Sequence, residues 1–262
     1  MIIKAKKSLG QNFLIDKNII NKIISISNIS NKDVLEVGPG TGNLTEYIIK
    51  KNPSKLFLIE KDKSLCDHLQ IKYKDRIHII NEDILKINEE NISQNKLIVF
   101  GNLPYNISTE IICNWILKIQ KNFWFTELIL MFQKEVADRI ISKINTSKYG
   151  RLTVLLNWKL EIKKIFDVSP NCFSPKPKVD SSLLHFVPKK DFFSINKSKN
   201  LEMITRIFFS QRRKMIKKPF KKLFKNYEEI SKKLNLDLNL RPQNLSLENY
   251  CKITKEYEKL TS

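Results

Sequence analysis

Three of the six glycines in this 262-residue chain alternate at Gly38, Gly40 and Gly42. They follow a short run, Asp33-Val34-Leu35-Glu36-Val37, that reads as a strand, and they precede a helical pattern from Asn43 to Lys51 with Leu44, Tyr47 and Ile48 on one face. Alanine occurs only at Ala5 and Ala137, while Ile, Lys and Asn are abundant, as expected of a protein drifting with an AT-rich genome. Under that pressure glycine should persist where a positive φ or a closely approached backbone requires it. Strand, glycine loop, helix opens a nucleotide-type α/β fold. The spacing departs from the dinucleotide fingerprint, whose third glycine is missing, and there is no Gly-Lys-Ser/Thr to hold phosphates. A methionine-type sulfonium cofactor carries no phosphate, and its loop needs only to close on the amino-acid and ribose portions.

Further apolar runs follow at Leu56–Glu60, Ile77–Ile80, Leu97–Phe100 and Leu128–Phe132, with helical patterns at Ile107–Ile119 and Lys134–Ile144 and an apolar-periodic stretch at Leu152–Trp158. Five strand–helix alternations predict a doubly wound parallel sheet. Glu60 ends the second strand about twenty residues past the glycine loop, where an acid accepts the hydroxyls of a ribose. Asp83, just past the third strand, is placed to accept from the exocyclic amine of an adenine. Each acid alone is more often a solvated loop residue; it is the regular strand-end series Gly38, Glu60, Asp83, Asn102 that favours a site. Near Ile162–Val168 and Ser182–Val187 two short strands flank the stiff loop Cys172–Ser181, with prolines at 175 and 177, and an added antiparallel hairpin is expected. From about residue 190 the pattern is helical. The expected division is residues 1–190 as a cofactor-binding domain and 191–262 as a small, basic, all-helical one.

The segment Phe100-Gly101-Asn102-Leu103-Pro104-Tyr105-Asn106 sits at the carboxyl end of an apolar strand, the edge at which open α/β sheets bind ligands. Pro104 fixes its own φ and biases Leu103 away from the helical region, so the Asn102 carboxamide and the Leu103 carbonyl are held in place. Two rigid acceptors can grip a planar –NH2, and Tyr105 offers a face on which a base stacks. The plain alternative is a strand-to-helix turn with Asn as an N-cap. Phe173 on its rigid loop could face Tyr105 across a flat substrate, or belong to the core.

Lys and Arg number 47 against 27 acids, a net charge of +20, which points to a polyanionic partner. Arg206, Arg212, Arg213, Lys214, Lys217, Lys218, Lys221, Lys222 and Lys225 run with no acid between Glu202 and Glu228. This segment reads either as phosphate contacts or as a solvated helix face. Lys6-Lys7-Ser8-Leu9-Gly10-Gln11-Asn12-Phe13-Leu14 reads as a flap with Lys6 and Lys7 towards phosphates, or as a frayed terminus. The four cysteines form no C-x-x-C pair and the three histidines are scattered, so neither a metal site nor a disulfide framework is expected. No signal peptide or membrane span is expected, and the chain reads as a cytoplasmic monomer.

Taken together, Lys7-x-x-Gly10-Gln11-Asn12-Phe13-Leu14, Glu36-Val37-Gly38-Pro39-Gly40-Thr41-Gly42, Glu60, Glu82-Asp83, Asn102-Leu103-Pro104-Tyr105-Asn106-Ile107-Ser108, Tyr149-Gly150-Arg151-Leu152, Phe173-x-Pro175-x-Pro177-x-Val179 and Gln211-Arg212-Arg213-Lys214 resemble the small-subunit (16S) ribosomal RNA adenine N6,N6-dimethyltransferase family (KsgA/RsmA). The likeness covers essentially the whole chain and is weakest at about 190–200 and after Lys225. It implies a Rossmann-like class I methyltransferase using S-adenosyl-L-methionine, with a helical C-terminal domain. Such an enzyme dimethylates N6 of two adjacent adenines near the 3′ end of small-subunit rRNA, within small-subunit biogenesis. By the same resemblance Asn12, Leu14, Gly38, Gly40, Glu60, Asp83 and Asn102 line the cofactor pocket. Asn102, Leu103, Pro104, Tyr105 and Phe173 serve the transfer, and Lys6, Lys7, Arg212, Arg213 and Lys214 meet RNA. Two rivals remain: another nucleic-acid adenine N6-methyltransferase, and a ribosome-assembly factor whose main role is to bind an immature subunit.

Overall fold

The computed structural model describes residues 5–6 and 9–261. Two compact units emerge. One comprises the chain up to Ile111 with Lys121–Ala137 and Ile162–Pro188; the other comprises Ile112–Gln120, Asp138–Glu161 and residues from Lys189 onward.

The first unit is built on a seven-stranded sheet. Its strands in chain order are β2 (Asp33–Val37), β3 (Lys55–Ile59), β4 (His78–Ile80), β5 (Leu97–Asn102), β6 (Phe125–Gln133), β7 (Leu160–Val168) and β9 (Ser181–Pro188), and in space they lie β4-β3-β2-β5-β6-β9-β7. A separate two-stranded pair joins β1 (Phe13–Leu14) to β8 (Phe173–Ser174), antiparallel. Strands β2 to β6 pair in parallel. All five residues of β2 are buried, as a central strand covered on both faces requires. The order reverses between β2 and β5, so a crevice opens outside their carboxyl ends, where Gly38 follows β2 and Asn102 closes β5.

The expected hairpin is present, with β7 and β9 neighbours at the edge of the sheet. β9 pairs antiparallel with β6, Gln133 opposite Ser181, and separates β6 from β7. The expected strand–helix alternation also breaks once. Between β4 and β5 stand only two 3-10 turns, Ile84–Lys86 and Glu89–Asn91. The helices of this region begin at definable signals. Asp16 accepts the Asn18 and Ile19 amides at 2.9 and 3.0 Å and starts α1 (Lys17–Ile24), whose Ile20, Ile23 and Ile24 enter the core. α2 (Asn43–Lys50) starts from Gly42 at φ 81°. A Cβ on Gly42 would lie 2.7 Å from Leu69 and 2.9 Å from Tyr73, so glycine there lets α3 (Lys63–Tyr73) pack against the loop.

Helices α4 (Ser108–Lys118) and α5 (Lys134–Ile140) follow β5 and β6, the latter shorter than its sequence pattern. The second unit includes α6 (Arg151–Lys159), α7 (Ser198–Phe209), α8 (Lys217–Leu223), α9 (Tyr227–Lys233) and α10 (Leu247–Thr261). Its own core joins Val154, Leu155 and Trp158 of α6 to Leu201, Ile204 and Phe208 of α7 and to Tyr250 and Ile253 of α10. The unit therefore draws on residues well before the expected boundary at 190. α6 buries six of its nine residues besides Lys159, and Val154, Leu155 and Trp158 among them pack into the core made with the later helices. Lys159 is itself buried, with its Nζ over the Trp158 ring and donating to the carbonyls of Ile116 and Ile119. That satisfies the charge at the end of α4, yet burial still brings the ammonium down to about 8. Among the described residues no helix is long and apolar enough to cross a membrane.

Candidate active site

The strand ends of the first unit enclose a cavity of about 340 Å³, within the usual range for a small-molecule site. Its wall includes Asn12, Leu14, Gly38, Gly40, Glu60, Asp83, Asn102, Leu103, Pro104 and Tyr105, bringing together residues far apart in sequence. Backbone bonds lock the strand ends: Gly38 N–H donates to Ile59 O at 2.9 Å and Glu60 N–H to Ile80 O at 3.2 Å.

Glu60 is held from two sides. Gly40 N–H donates to its Oε2 at 3.3 Å and Asp62 N–H to its Oε1 at 2.9 Å. Each oxygen keeps acceptor capacity for a hydroxyl. Burial raises its carboxyl above the ordinary value, opposed by those two amides. Beneath the loop, Glu36 is fully buried and accepts from Thr45 Oγ1 at 2.6 Å. Desolvation pushes its carboxyl up to about 8, against the Thr45 bond, so it is a neutral acid at pH 7. Asp83 receives Lys61 Nζ at 2.8 Å and the Leu85 amide at 3.1 Å, and the lysine holds it below the ordinary carboxylate range. Ile59, Ile84 and Leu85 supply apolar wall beside it.

The Asn102 amide is oriented from across the cavity. Its Nδ2 donates to the main-chain carbonyl of Asn12 at 2.8 Å. The nitrogen is thereby committed as donor, and Oδ1 is the atom left to accept. Tyr105, further along the same turn, places its hydroxyl 2.6 Å from that of Ser181.

The N-terminal segment is stitched to this frame. The Phe13 ring lies against Gly40, where a Cβ would come within 2.6 Å of it, and Asn43 Nδ2 donates to Leu14 O at 2.8 Å. Gly40 thus leaves room for Phe13 while its amide serves Glu60. Four expectations need correction or limit. Lys6 does not stand free for phosphate: its Nζ donates to Asp62 at 2.8 Å, with Gln11 on the other oxygen at 3.3 Å. Burial would raise the Asp62 carboxyl, but Lys6, Ser64 and Gln11 together hold it well below the ordinary range. Lys7 lies outside the described residues. Phe173 does not line the cavity; it is 3% exposed in the hydrophobic core, its backbone paired with Leu14, because the β1–β8 pairing turns it inward. Arg212 is half-buried and bound within the second unit, Nε to Gln243 Oε1 at 3.0 Å and a terminal nitrogen to Thr146 O at 3.1 Å. Arg213 and Lys214 are exposed. Sequence reading missed Glu36, Lys61 and Ser181 as contributors; for Glu36 the signal was present, an acid flanked by Leu35 and Val37 within a central strand.

A crevice at the switch point of a parallel sheet, walled by carboxylates where a phosphate binder would place cations, is that of a Rossmann-like class I methyltransferase. The chemistry of the wall is compatible with S-adenosylmethionine: carboxylate acceptors of the kind that hydroxyls and an amine need, apolar side chains beside Asp83, and a glycine loop free of bulk. The ribosomal RNA adenine dimethylase family matches residues 2–259, and the chain belongs to it. Ribosomal RNA small subunit methyltransferase A of Pelagibacter ubique (strain HTCC1062) is 62% identical over 260 residues, 99% of each chain. The enzyme of the same name from Ehrlichia ruminantium (strain Gardel) is 42% identical, with 96% of this chain and 97% of that one covered. A dimethyladenosine transferase from Plasmodium falciparum superposes with TM-score 0.76 at 25% identity, covering 94% of this chain and 98% of that one. The 23S rRNA methyltransferase ErmE shares the fold, with TM-score 0.68 at 22% identity over 96% and 100%.

Proposed function

We propose that this chain uses S-adenosylmethionine to dimethylate N6 of two adjacent adenines near the 3′ end of small-subunit rRNA, acting in the cytoplasm as a monomer on an immature small subunit. The observation that supports the reading is the Asn102 amide at the cavity wall, whose Nδ2 donates to Asn12 O and so leaves Oδ1 as its acceptor.

The N6 amine of adenine is a poor nucleophile because its lone pair is delocalised into the ring. Asn102 Oδ1 and the Leu103 carbonyl accept its hydrogens, localise the lone pair and stabilise the positive charge that develops on nitrogen. Neither oxygen is a base, so the amine sheds its proton only after the methyl is attached, when it has become a strong acid. The base must leave its stack to enter, and Tyr105 supplies the face against which it rests. When bound, S-adenosylmethionine supplies an electrophilic methyl on a sulfonium. Asn12, Leu14, Gly38, Gly40, Glu60 and Asp83 would hold it. Positioning and electrostatics are the catalytic means. Arg213 and Lys214, with the lysines of the same basic stretch, contact rRNA phosphates.

Mass spectrometry of small-subunit rRNA from cells with and without the gene tests the reading. N6,N6-dimethyladenosine should appear only with the active chain and not with Asn102→Ala.

A further inference from the structure

The proline loop ends at Ser181, whose place in the chemistry is not explained by cofactor binding. Ser181 opens β9 and has no exposed surface, and its backbone is fixed opposite Gln133 of β6. Its hydroxyl lies 2.6 Å from the phenolic oxygen of Tyr105. One partner is thus anchored in the sheet, while the other sits on the turn that follows Pro104 and lines the cavity. A tyrosine hydroxyl lies on the ring's long axis, so holding it fixes where the ring points. A phenol also donates and accepts in the plane of its ring, which narrows the broad two-fold torsion of the ring itself. Burial raises the Tyr105 phenol, against the Ser181 bond, so the hydroxyl stays neutral and able to make this contact.

We infer that Ser181 is a positioning residue for methyl transfer: it holds Tyr105 by the hydroxyl so that the ring face, and not the hydroxyl, meets the target base. The phenol is held by Ser181. Tyr105 therefore stacks on any base, and selection of adenine falls to the acceptors Asn102 Oδ1 and Leu103 O. This rests on the adenine reading of the site given above.

The test compares Ser181→Ala, Tyr105→Phe and the double variant, using unmethylated small subunits as substrate. Tyr105→Phe removes the bond without touching β9, so it serves even if the serine variant folds poorly. Each single variant should lower kcat/KM roughly three- to tenfold, the scale of one hydrogen bond, with S-adenosylmethionine affinity unchanged. The double variant should be no worse than the weaker single. In an RNA carrying 2-aminopurine at the target position, fluorescence quenching on binding should fall in both. If Tyr105→Phe loses far more than Ser181→Ala, the hydroxyl meets the substrate and the inference is wrong. Wild-type turnover in both variants, or an equal loss of cofactor affinity, also overturns it. A wild-type protein that transfers no methyl to rRNA adenine defeats the functional reading instead.

Discussion

Asn102 Nδ2 donates to the main-chain carbonyl of Asn12 at 2.8 Å, linking the amide at the end of β5 to a segment ninety residues earlier. The contact decides which end of a symmetric-looking amide donates and which is left to accept. Asn102→Ala removes the acceptor and should lower methyl transfer by about 10²–10³-fold, the cost of a positioned polar group of this kind, with the circular dichroism spectrum unchanged. Asn102→Asp keeps an oxygen acceptor but turns a carboxylate towards the Asn12 carbonyl. It too should transfer poorly, and near-normal turnover by Asp would show that the orientation is unimportant.

Glu60 should matter to affinity rather than to chemistry. Glu60→Ala should weaken S-adenosylmethionine binding by roughly 1.5–3 kcal/mol, the range for hydrogen bonds to a charged group. Glu60→Gln, which retains one acceptor, should lose less. Calorimetry giving wild-type affinity for both would mean that the acid only braces the Gly40 and Asp62 amides.

Glu36 makes stability depend on pH. Its carboxyl is raised from 4.5 to about 8 in the folded protein. Within that window the native state holds a proton that the unfolded chain has lost, so the unfolding free energy falls as pH rises. The contribution is complete below the unfolded value and gone above the folded one, with a slope approaching about 1.4 kcal/mol per pH unit between them. Glu36→Gln is neutral at every pH and can still accept from Thr45. Denaturant titrations from pH 5 to 8 should show a decline in the wild type that is shallower in this variant; parallel curves would mean that Glu36 ionises normally.

The sheet and the strand-end series were legible because each parallel strand is a short apolar run ended by a turn, and because glycine is so scarce that its clustering carries information. The pairing of Phe13–Leu14 with Phe173–Ser174 was not legible. Two-residue strands have no period to detect, and the partners meet only after the sheet has formed. The same holds for Phe173, which reads equally as a stacking ring or as core until β1 is seen to turn it inward. The partners of Lys6 and Arg212 were not legible for another reason. A cation's sequence neighbours say nothing of a carboxylate or carbonyl brought to it by the fold, so a lysine in a basic stretch looks free when it is not.

The basic segment can be tested residue by residue with that distinction in hand. Arg212 is tied to Gln243 and Thr146, whereas Arg213 and Lys214 are exposed. Replacing Arg213 and Lys214 together by Ala should leave stability and S-adenosylmethionine binding alone while weakening subunit binding. The log–log salt slope should become shallower by up to ~0.7–0.9 for each phosphate that is no longer neutralised. Arg212→Ala should act differently, lowering the unfolding free energy by about 1–3 kcal/mol through the unpaired groups it leaves. Lys50, Lys51 and Lys55 form the control; all three are exposed, and their removal takes away surface charge and one exposed ion pair, that of Lys50 with Glu46 along α2. That triple variant should bind subunits nearly as well as wild type. Equal losses and equal slopes in the Arg213/Lys214 and Lys50/Lys51/Lys55 variants would mean that the +20 charge acts as a diffuse field, with no rRNA contact localised after α7.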